Sequence, residues 1–251
     1  FREGEPVLRV LEALAAGATA NDRVVIPEGL TSFTISKILK EEIGLEEEEF
    51  LSLVHNPPLS KELGVEALNL EGYLYPDSYQ FAVGMEPEQI IRMMVRRFSE
   101  ILGEPERRRV EELGFTVHQI VTLASMVEKE ARMDEERPLI AAVYYNRLEK
   151  GRLLQCDATV LYALAEHKDR VLYNDLQVES PYNTYLHKGL PPGPICSPGR
   201  SSILAVLYPA EVDYLYYVAR GDGSHIFSRT EKEHQEAKRT ARRYQLTRDR
   251  G

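Results

Sequence analysis

Two glutamates lie near the end of a segment with a helical pattern. Residues 116–131 follow this pattern, and at about 100° per residue their apolar side chains form one stripe. Glu128 falls inside the stripe, between the bearings of Val117 and Val121. Desolvation disfavours the charged form of a carboxyl group, so one in apolar surroundings can keep its proton and act as a general acid. The alternative is a partly exposed Glu128, or one paired with an arginine such as Arg132.

Glu130 lies two residues further along the same segment. Because each residue turns by about 100°, Glu130 points roughly 200° away from Glu128 around the helix. The sequence therefore predicts that Glu130 does not share a pocket with Glu128 and has a structural role.

Composition limits the classes of partner and cofactor. The 251 residues include 43% hydrophobic ones, and 31 Lys and Arg against 40 Asp and Glu give a formal net charge of -9. This balance argues against a nucleic acid held by phosphate contacts and against an anionic membrane surface. No apolar run approaches the roughly 20 residues that span a bilayer. Cys156 and Cys196 lack metal-ligand spacing, so no metal site is expected, although they could form a disulfide in an oxidising compartment.

The pattern of predicted elements is that of an α+β protein in two domains. A short strand at 23–26 and two helices after Thr31 form a small N-terminal module, assigned to residues 1–68, and a larger domain of helices with a β-hairpin occupies 69–251. The hairpin is predicted from two strand-like runs that flank Gly221, Asp222 and Gly223. The other elements expected are a helical pattern over 7–14, a strand at 74–81, helices at 87–102, 105–113, 137–150 and 231–246, and an ordered Pro-rich loop over 180–201.

Five blocks of this sequence resemble the signature blocks of the YceG-like family of endolytic murein transglycosylases. Matches run in order from about residue 22 to the end of the chain. The blocks are LEGYLYPDSY (70–79), LASMVEKEA (123–131), YNRL (145–148), SPYNTYLHKGLPPGPICSPG (180–199) and GDGSHIFSRT (221–230).

The resemblance implies an enzyme of the bacterial cell envelope that needs no cofactor. It implies a LysM-like N-terminal module, a catalytic domain, and a membrane anchor upstream of this chain that places the enzyme at the outer face of the cytoplasmic membrane. Its partners would be peptidoglycan glycan strands and the synthases that make them. The catalytic acid in the matching block would be Glu128, donating a proton to the glycosidic oxygen and then taking one from the 6-hydroxyl that closes a 1,6-anhydro ring.

Substrate-binding residues follow from the same blocks. Asn146 and Arg147 are expected beside the sugar chain, or as a helix cap and ion pair. Gln155 and Asp157, with Thr159, match a block usually written LQxDxT, in which Ala158 stands where proline is expected. The remaining candidates offer polar groups or a stacking face for sugars, and they are Ser180, Tyr182, Asn183, Thr184 and His225. Glu71, Tyr73 and Asp77 are expected to be scaffold.

Two other functions stay open from the sequence. In a hydrolytic muramidase, Asp157 would activate a water molecule in place of the 6-hydroxyl. In a non-catalytic wall-binding protein, the LysM-like module would hold the glycan and no bond would be cut.

Overall fold

The computed structural model of the chain describes residues 21–82, 84–164 and 171–248. In these ranges the chain forms four strands and ten α-helices. The helical pattern predicted over 7–14 lies outside the described residues. No helix within the described ranges has the length and apolar character needed to cross a membrane.

The first unit is built from two strands and three helices. The elements are β1 (Asn21–Val25), α1 (Ser32–Ile43), α2 (Glu47–Val54), α3 (Pro57–Glu62) and β2 (Ser78–Ala82). The hydroxyl of Thr31 caps α1 by accepting from the N–H of Thr34, as its side-chain type favours. Strand β1 runs antiparallel to β2, with Val24 opposite Tyr79. The unit therefore closes with a strand that follows residue 68.

This pairing joins residues on both sides of the predicted domain boundary. Helix α2 also packs against α4 (Pro87–Ile101), the first helix after β2. The division into 1–68 and 69–251, and the LysM-like character of the first part, stay predictions.

Helix α6 (Val117–Glu130) crosses the centre of the second unit. It follows α5 (Glu104–Glu112) and begins with a capping box, in which Thr116 and Gln119 exchange hydrogen bonds between side chain and backbone. All residues from Ile120 to Val127 are buried. The helix is thus enclosed on most sides by α7 (Arg137–Glu149), α8 (Asp157–Leu164) and α9 (Arg200–Leu207), instead of presenting a single buried stripe.

Helices α3, α8 and α9 were not expected from the sequence. Each has only six to eight residues, so isolated helical propensity contributes little and tertiary contacts stabilise it. Two adjacent prolines, Pro57 and Pro58, follow the end of α2 at Val54. In the structure Asn56 caps α3, and the prolines occupy its first turn, where a missing N–H costs nothing.

The C-terminal part is a hairpin packed on a long helix. Strands β3 (Tyr216–Ala219) and β4 (His225–Ser228) pair antiparallel with Ala219 opposite His225, which confirms the predicted hairpin. Gly221 and Gly223 have φ of 98° and 97°, which non-glycine residues rarely adopt. Helix α10 (Glu231–Arg248) packs against both strands.

Candidate active site

The carboxylate of Glu128 is enclosed by hydrogen-bond donors. Its Oε2 accepts from the N–H of Gly199 at 3.0 Å and from the hydroxyl of Ser202 at 2.7 Å. Nη1 of Arg137 lies 3.4 Å from the same oxygen, and the side chains of Glu128 and Arg137 are only 8% and 10% exposed. The apolar surroundings expected for Glu128 are therefore not found. The cation that pairs with it is Arg137, not Arg132, because Arg137 begins the neighbouring helix.

Glu28 adds a second carboxyl group to this cluster. A Cβ atom on Gly199 would lie 2.0 Å from Cδ of Glu28, so only glycine allows the close approach. Burial raises the pKa of Glu28, and the charge of Glu128 raises it further. Glu28, Glu128, Arg137, Ser202 and Gly199 together form what we call the Glu128 cluster, which ties the β1–α1 loop to α6, α7 and α9.

Glu130 instead faces an open cavity of about 360 Å³. The two glutamates point to different sides of α6, as their spacing predicts, but the cavity is on the Glu130 side. This placement makes Glu130 a candidate for chemistry in addition to the structural role predicted for it. The lining residues are Glu130, Arg147, Gln155, Asp157, Tyr185, Tyr217, Val218, Ala219, His225, His234 and Lys238.

The carboxyl group of Glu130 is held by the wall behind it. The thiol of Cys156 donates to its Oε1 at 3.2 Å, and the hydroxyl of Tyr217 also hydrogen bonds to the carboxyl group. Burial raises the pKa of Glu130 and the negative charge of Asp157 raises it further, whereas the two hydrogen bonds and His225 act in the opposite direction. The net result is a raised pKa, which suits a carboxyl group that must be protonated to act as an acid.

Gln155 and Asp157 reach the cavity from the start of α8. Gln155 has φ of 50°, the sole positive value for a non-glycine residue in the described ranges. Its N–H donates to the carbonyl of Thr184 at 3.1 Å, and Asp157 accepts a hydrogen bond from the hydroxyl of Tyr185. Ala158 is the second residue of α8, a position where proline is also tolerated, so its presence leaves the helix start intact.

His225 is oriented by a carboxylate. Glu136 accepts from the backbone N–H of His225 at 2.8 Å and contacts its Nδ1 at 2.7 Å. Both side chains are largely buried, at 7% and 13% exposure. The hairpin thus presents a fixed imidazole to the cavity, on the side of Tyr217, whose ring it meets edge-on.

Arg147 lines the cavity while Asn146 does not. The guanidinium of Arg147 donates to the carbonyls of Leu215 and Leu154, both at 2.7 Å. The amide of Asn146 donates to the carbonyls of Val212 and Tyr214. The YNRL block therefore anchors the chain that leads into the hairpin, and Asn146 is placed away from the predicted sugar contact.

The four predicted residues of the Pro-rich loop are absent from the cavity wall and hold the loop together instead. Asn183 donates to the carbonyls of Leu176 and Val178, and the hydroxyl of Thr184 accepts from the N–H of Cys156 at 2.9 Å. Ser180 accepts from the N–H of Tyr182, whose ring packs on Tyr162. Of this block only Tyr185 lines the cavity.

The polar lining residues Tyr217, His234 and Lys238 are not among the site residues predicted from the sequence. The last two are four residues apart, so they share one face of α10. This spacing places His234 and Lys238 on one face of α10, but nothing in the sequence indicates that this face lines the same cavity as Glu130.

Cys156 and Cys196 are both buried and unpaired. Within residues 21–82, 84–164 and 171–248, no group of three or more His, Cys, Asp and Glu side chains is arranged to hold a metal ion.

Comparisons with known proteins identify the family. The YceG-like family model matches residues 1–240. The chain belongs to the YceG-like family. It is 37% identical to a protein of Bacillus subtilis (strain 168) over 95% of this chain and 70% of the relative, and 31% identical to one of Streptococcus pneumoniae (D39) over 84% and 43%. Both relatives are named endolytic murein transglycosylase.

A solved structure supports the same assignment. The crystal structure of a YceG-like protein from Listeria monocytogenes matches with a TM-score of 0.80 and 37% identity, covering 93% of this chain and 81% of the other. The resemblance noted from the five sequence blocks is thereby confirmed, and so is the mixed helix and antiparallel-strand class.

Proposed function

We propose that this chain cuts peptidoglycan glycan strands internally, as a lytic transglycosylase, and that Glu130 is its acid and base. Family membership supports the class of reaction, since the related proteins are named for it. The observation that carries the residue assignment is the position of the Glu130 carboxyl group, with its raised pKa, in the wall of the cavity.

Glu130 suits the acid role better than Glu128 for two reasons. A general acid must come within hydrogen-bond reach of the oxygen that it protonates, and Glu130 faces a space that can admit a sugar. Oε2 of Glu128 is already occupied by Gly199, Ser202 and Arg137, and its side chain is 8% exposed. We therefore replace the expected acid, Glu128, by Glu130 and give Glu128 a structural role.

The proposed reaction needs only one carboxyl group. Glu130 donates its proton to the bridging oxygen as the bond from the MurNAc anomeric carbon to that oxygen breaks, which leaves positive charge on the sugar. The 6-hydroxyl of the same MurNAc then bonds to the anomeric carbon, and its proton returns to the Glu130 carboxylate. The products are a 1,6-anhydro-MurNAc end and a free GlcNAc hydroxyl, and the acid is regenerated. Asp157, in the same cavity, would stabilise the positive charge.

The position of Asp157 in the same cavity as Glu130 is an observation that favours the hydrolytic alternative. Two carboxyl groups in one cavity are the usual equipment of a muramidase, in which the second one activates water. The product separates the two reactions, because an anhydro end is lighter by one water molecule than a reducing end.

The wider setting of the enzyme follows the family. We propose that the N-terminal part of the chain, residues 1–68, is a LysM-like module that holds glycan. A membrane anchor upstream would place the cavity at the outer face of the cytoplasmic membrane, close to peptidoglycan synthases. Without catalysis, the same module would make the chain a wall-binding protein.

One experiment tests the reaction and the acid together. Purified glycan strands are incubated with the wild type, Glu130→Gln and Glu128→Gln, and the products are measured by mass. We expect anhydro ends from the wild type and a loss of about 10²- to 10⁴-fold for Glu130→Gln. Glu128→Gln is the matched control two residues away and should retain cleavage within about tenfold, with lower stability. Reducing ends would favour the muramidase, and cleavage by Glu130→Gln at the wild-type rate would exclude Glu130 as the acid.

A further inference from the structure

The cavity that holds Glu130 has walls of opposite charge. Glu130 and Asp157 lie on the side of α6 and α8, whereas Arg147, His234 and Lys238 supply basic side chains, the last two from α10. The chain as a whole is acidic, with a formal net charge of -9. A concentration of basic groups in its cavity is therefore a local feature that the overall composition does not explain.

The ring of Tyr216 contacts two of these basic groups, those of His234 and Arg147. The imidazole of His234 stacks on it at 4.9 Å between centroids and 20° between planes. The guanidinium groups of Arg147 and Arg152 lie 5.4 and 5.0 Å from the ring centre, and Arg152 donates to the Tyr216 hydroxyl at 2.5 Å. Contacts between cations and an aromatic face offset part of the repulsion between like charges. We call Arg147, His234 and Lys238 the basic wall.

His234 is the member of the basic wall whose hydrogen bonding is incomplete in the described part of the chain. His234 is 8% exposed, and its buried Nδ1 has no hydrogen-bond partner among the described residues. Burial lowers the pKa of His234, and the charges of Lys238 and Arg147 lower it further, whereas Glu231 acts against them. Buried polar atoms in native proteins nearly always have a partner, so Nδ1 of His234 lacks the hydrogen bond that such an atom normally makes.

We propose that the basic wall binds a carboxylate of the substrate. This inference rests on the proposed function. The hydroxyl and acetamide groups of a glycan are neutral. In peptidoglycan, carboxylates occur on the lactyl group of muramic acid, when that group carries no peptide, and on the peptide stem. Lys238 and Arg147 attract such an anion, and its approach favours the protonated form of His234. The wall would thereby select strands that contain muramic acid over chitin-type strands of the same length.

Binding to Glu130→Gln, which should not turn over, tests this selection. Three oligosaccharides of equal length serve as ligands: a chitin-type oligomer, a muramic-acid strand with free lactyl carboxylates, and the same strand with its peptide stems. We expect at least one charged strand to bind about three- to tenfold more tightly than the neutral oligomer, with the difference shrinking at high salt. Preference for the second ligand assigns the lactyl carboxylate, and preference for the third alone assigns the stem.

Two substitutions on α10 distinguish the effect of a charge in the basic wall from the effect of the protein's overall charge. Lys238→Gln removes a charge from the cavity, and Lys232→Gln removes one from an exposed position on the same helix that is not part of the cavity wall. Lys238→Gln should bring the ratio of the affinity for the preferred charged strand to that for the neutral oligomer close to one. Lys232→Gln should leave this ratio at its wild-type value. Equal affinity for neutral and charged strands, or an equal loss in both variants, overturns the inference. If none of the three ligands binds and the wild type cuts no strand, the proposed function fails as well.

Discussion

Cys156 is the residue through which the structure fixes one oxygen of Glu130. Its thiol is fully buried, and its backbone is held by Thr184, which accepts from the Cys156 N–H, and by Thr159, which donates to the Cys156 carbonyl. With Oε1 engaged by the thiol at 3.2 Å, the carboxyl group is held in a defined orientation. A neutral donor of this kind orients the acid without adding a fixed positive charge.

Removing this donor should change both the rate and its pH dependence. The hydrogen bond from Cys156 lowers the pKa of Glu130, so Cys156→Ala should raise that pKa and move the alkaline limb of the pH–rate profile to higher pH. We expect kcat/KM to fall by about two- to tenfold, as for the loss of one hydrogen bond. Cys156→Ser keeps a donor and should stay closer to the wild type. An unchanged profile for Cys156→Ala would show that the thiol does not act on Glu130.

The positions of Glu128 and Glu130 show what residue spacing can predict. Helical periodicity correctly placed their side chains on different faces of α6. It could not say which face meets the cavity, because the opposite wall comes from β3 and α10, about 90 to 110 residues later in the chain. Arg137 likewise pairs with Glu128 only because α7 packs beside α6.

At the scale of elements, Gly72 decides how closely the 70–75 turns approach the Pro-rich loop. It has φ of 83°, and a Cβ atom there would lie 2.4 Å from Cβ of Pro194. Gly64 has a similar φ of 73°, but no atom lies within 4 Å of a Cβ placed there. Comparing the two glycines therefore distinguishes the cost of backbone strain from the cost of steric overlap.

This comparison gives a prediction for stability. Gly64→Ala should lower the free energy of unfolding by about 1 kcal/mol through its backbone conformation alone. Gly72→Ala adds an overlap with a rigid ring and should cost roughly 3 kcal/mol or more. Urea unfolding of the two variants checks the difference. Equal losses would mean that the loop moves freely away from the turn.

Glu71 supports the start of α1 and makes its stability depend on pH. Both carboxyl oxygens of Glu71 accept from the N–H of Ser32, at 3.0 and 3.1 Å, and Oε2 also accepts from its hydroxyl at 2.7 Å. Burial raises the pKa of Glu71 to about 7, against these hydrogen bonds. The folded protein therefore binds the Glu71 proton more tightly than the unfolded chain does.

The sign of the pH effect follows from this difference. Stability from Glu71 is fully present below its unfolded pKa of 4.5 and is lost as pH rises toward about 7. The loss is on the order of 3 kcal/mol. The wild type should lose this stability between pH 4.5 and pH 8, whereas Glu71→Gln, which has no carboxyl group at this position, should not. The difference in free energy of unfolding between the two proteins should therefore shift in favour of the variant at pH 8, as measured by urea unfolding at both pH values. A constant difference between the proteins would contradict the raised pKa.

The elements with strong local signals were the predictable ones. Helices α4 to α7 and α10 were expected within about two residues of their observed ends, because they combine periodicity with caps such as Thr116. The β3–β4 hairpin is predicted by Gly221 and Gly223 between two strand-like runs. Helices α3, α8 and α9 have only six to eight residues each, so only their tertiary contacts make them helical.

At the scale of the molecule, the cavity is assembled from segments that are far apart in sequence. Arg147, Gln155, Asp157 and His225 were predicted as site residues, and all four line it. These four residues could be predicted because each lies in a short sequence block that carries two polar residues or a single histidine. Asn146, Ser180, Tyr182, Asn183 and Thr184 belong to the same blocks but bind backbone groups or pack on neighbouring rings. A block therefore identifies the neighbourhood of the site, while the folded contacts decide which side chain faces it.

The Glu128 cluster holds these segments in place around α6. Arg137 donates to the Ser202 hydroxyl at 2.5 Å and to Asp134 at 2.8 Å while it faces Glu128, and Lys129 donates to the carbonyl of Gly29 at 3.2 Å. The charge of Arg137 acts on the carboxyl groups of both Glu28 and Glu128, and the charges of both carboxyl groups raise the pKa of Arg137. Because the side chains of Glu128 and Arg137 are only 8% and 10% exposed, solvent screens their charges little.

A double-mutant cycle measures this coupling. Arg137→Gln alone leaves the buried Glu128 charge without its cation and should cost about 3–5 kcal/mol at pH 7.5. Glu128→Gln alone should cost less, because Arg137 keeps Asp134 and the amide still accepts from Gly199 and Ser202. In the double variant neither charge of the pair remains unpaired. Its loss of free energy of unfolding should therefore be smaller than the sum of the two single-variant losses by roughly 1–3 kcal/mol. Urea unfolding of the four proteins gives the coupling energy directly. Additive losses would show that Arg137 does not neutralise Glu128 and that the anchoring of α6 comes from packing alone.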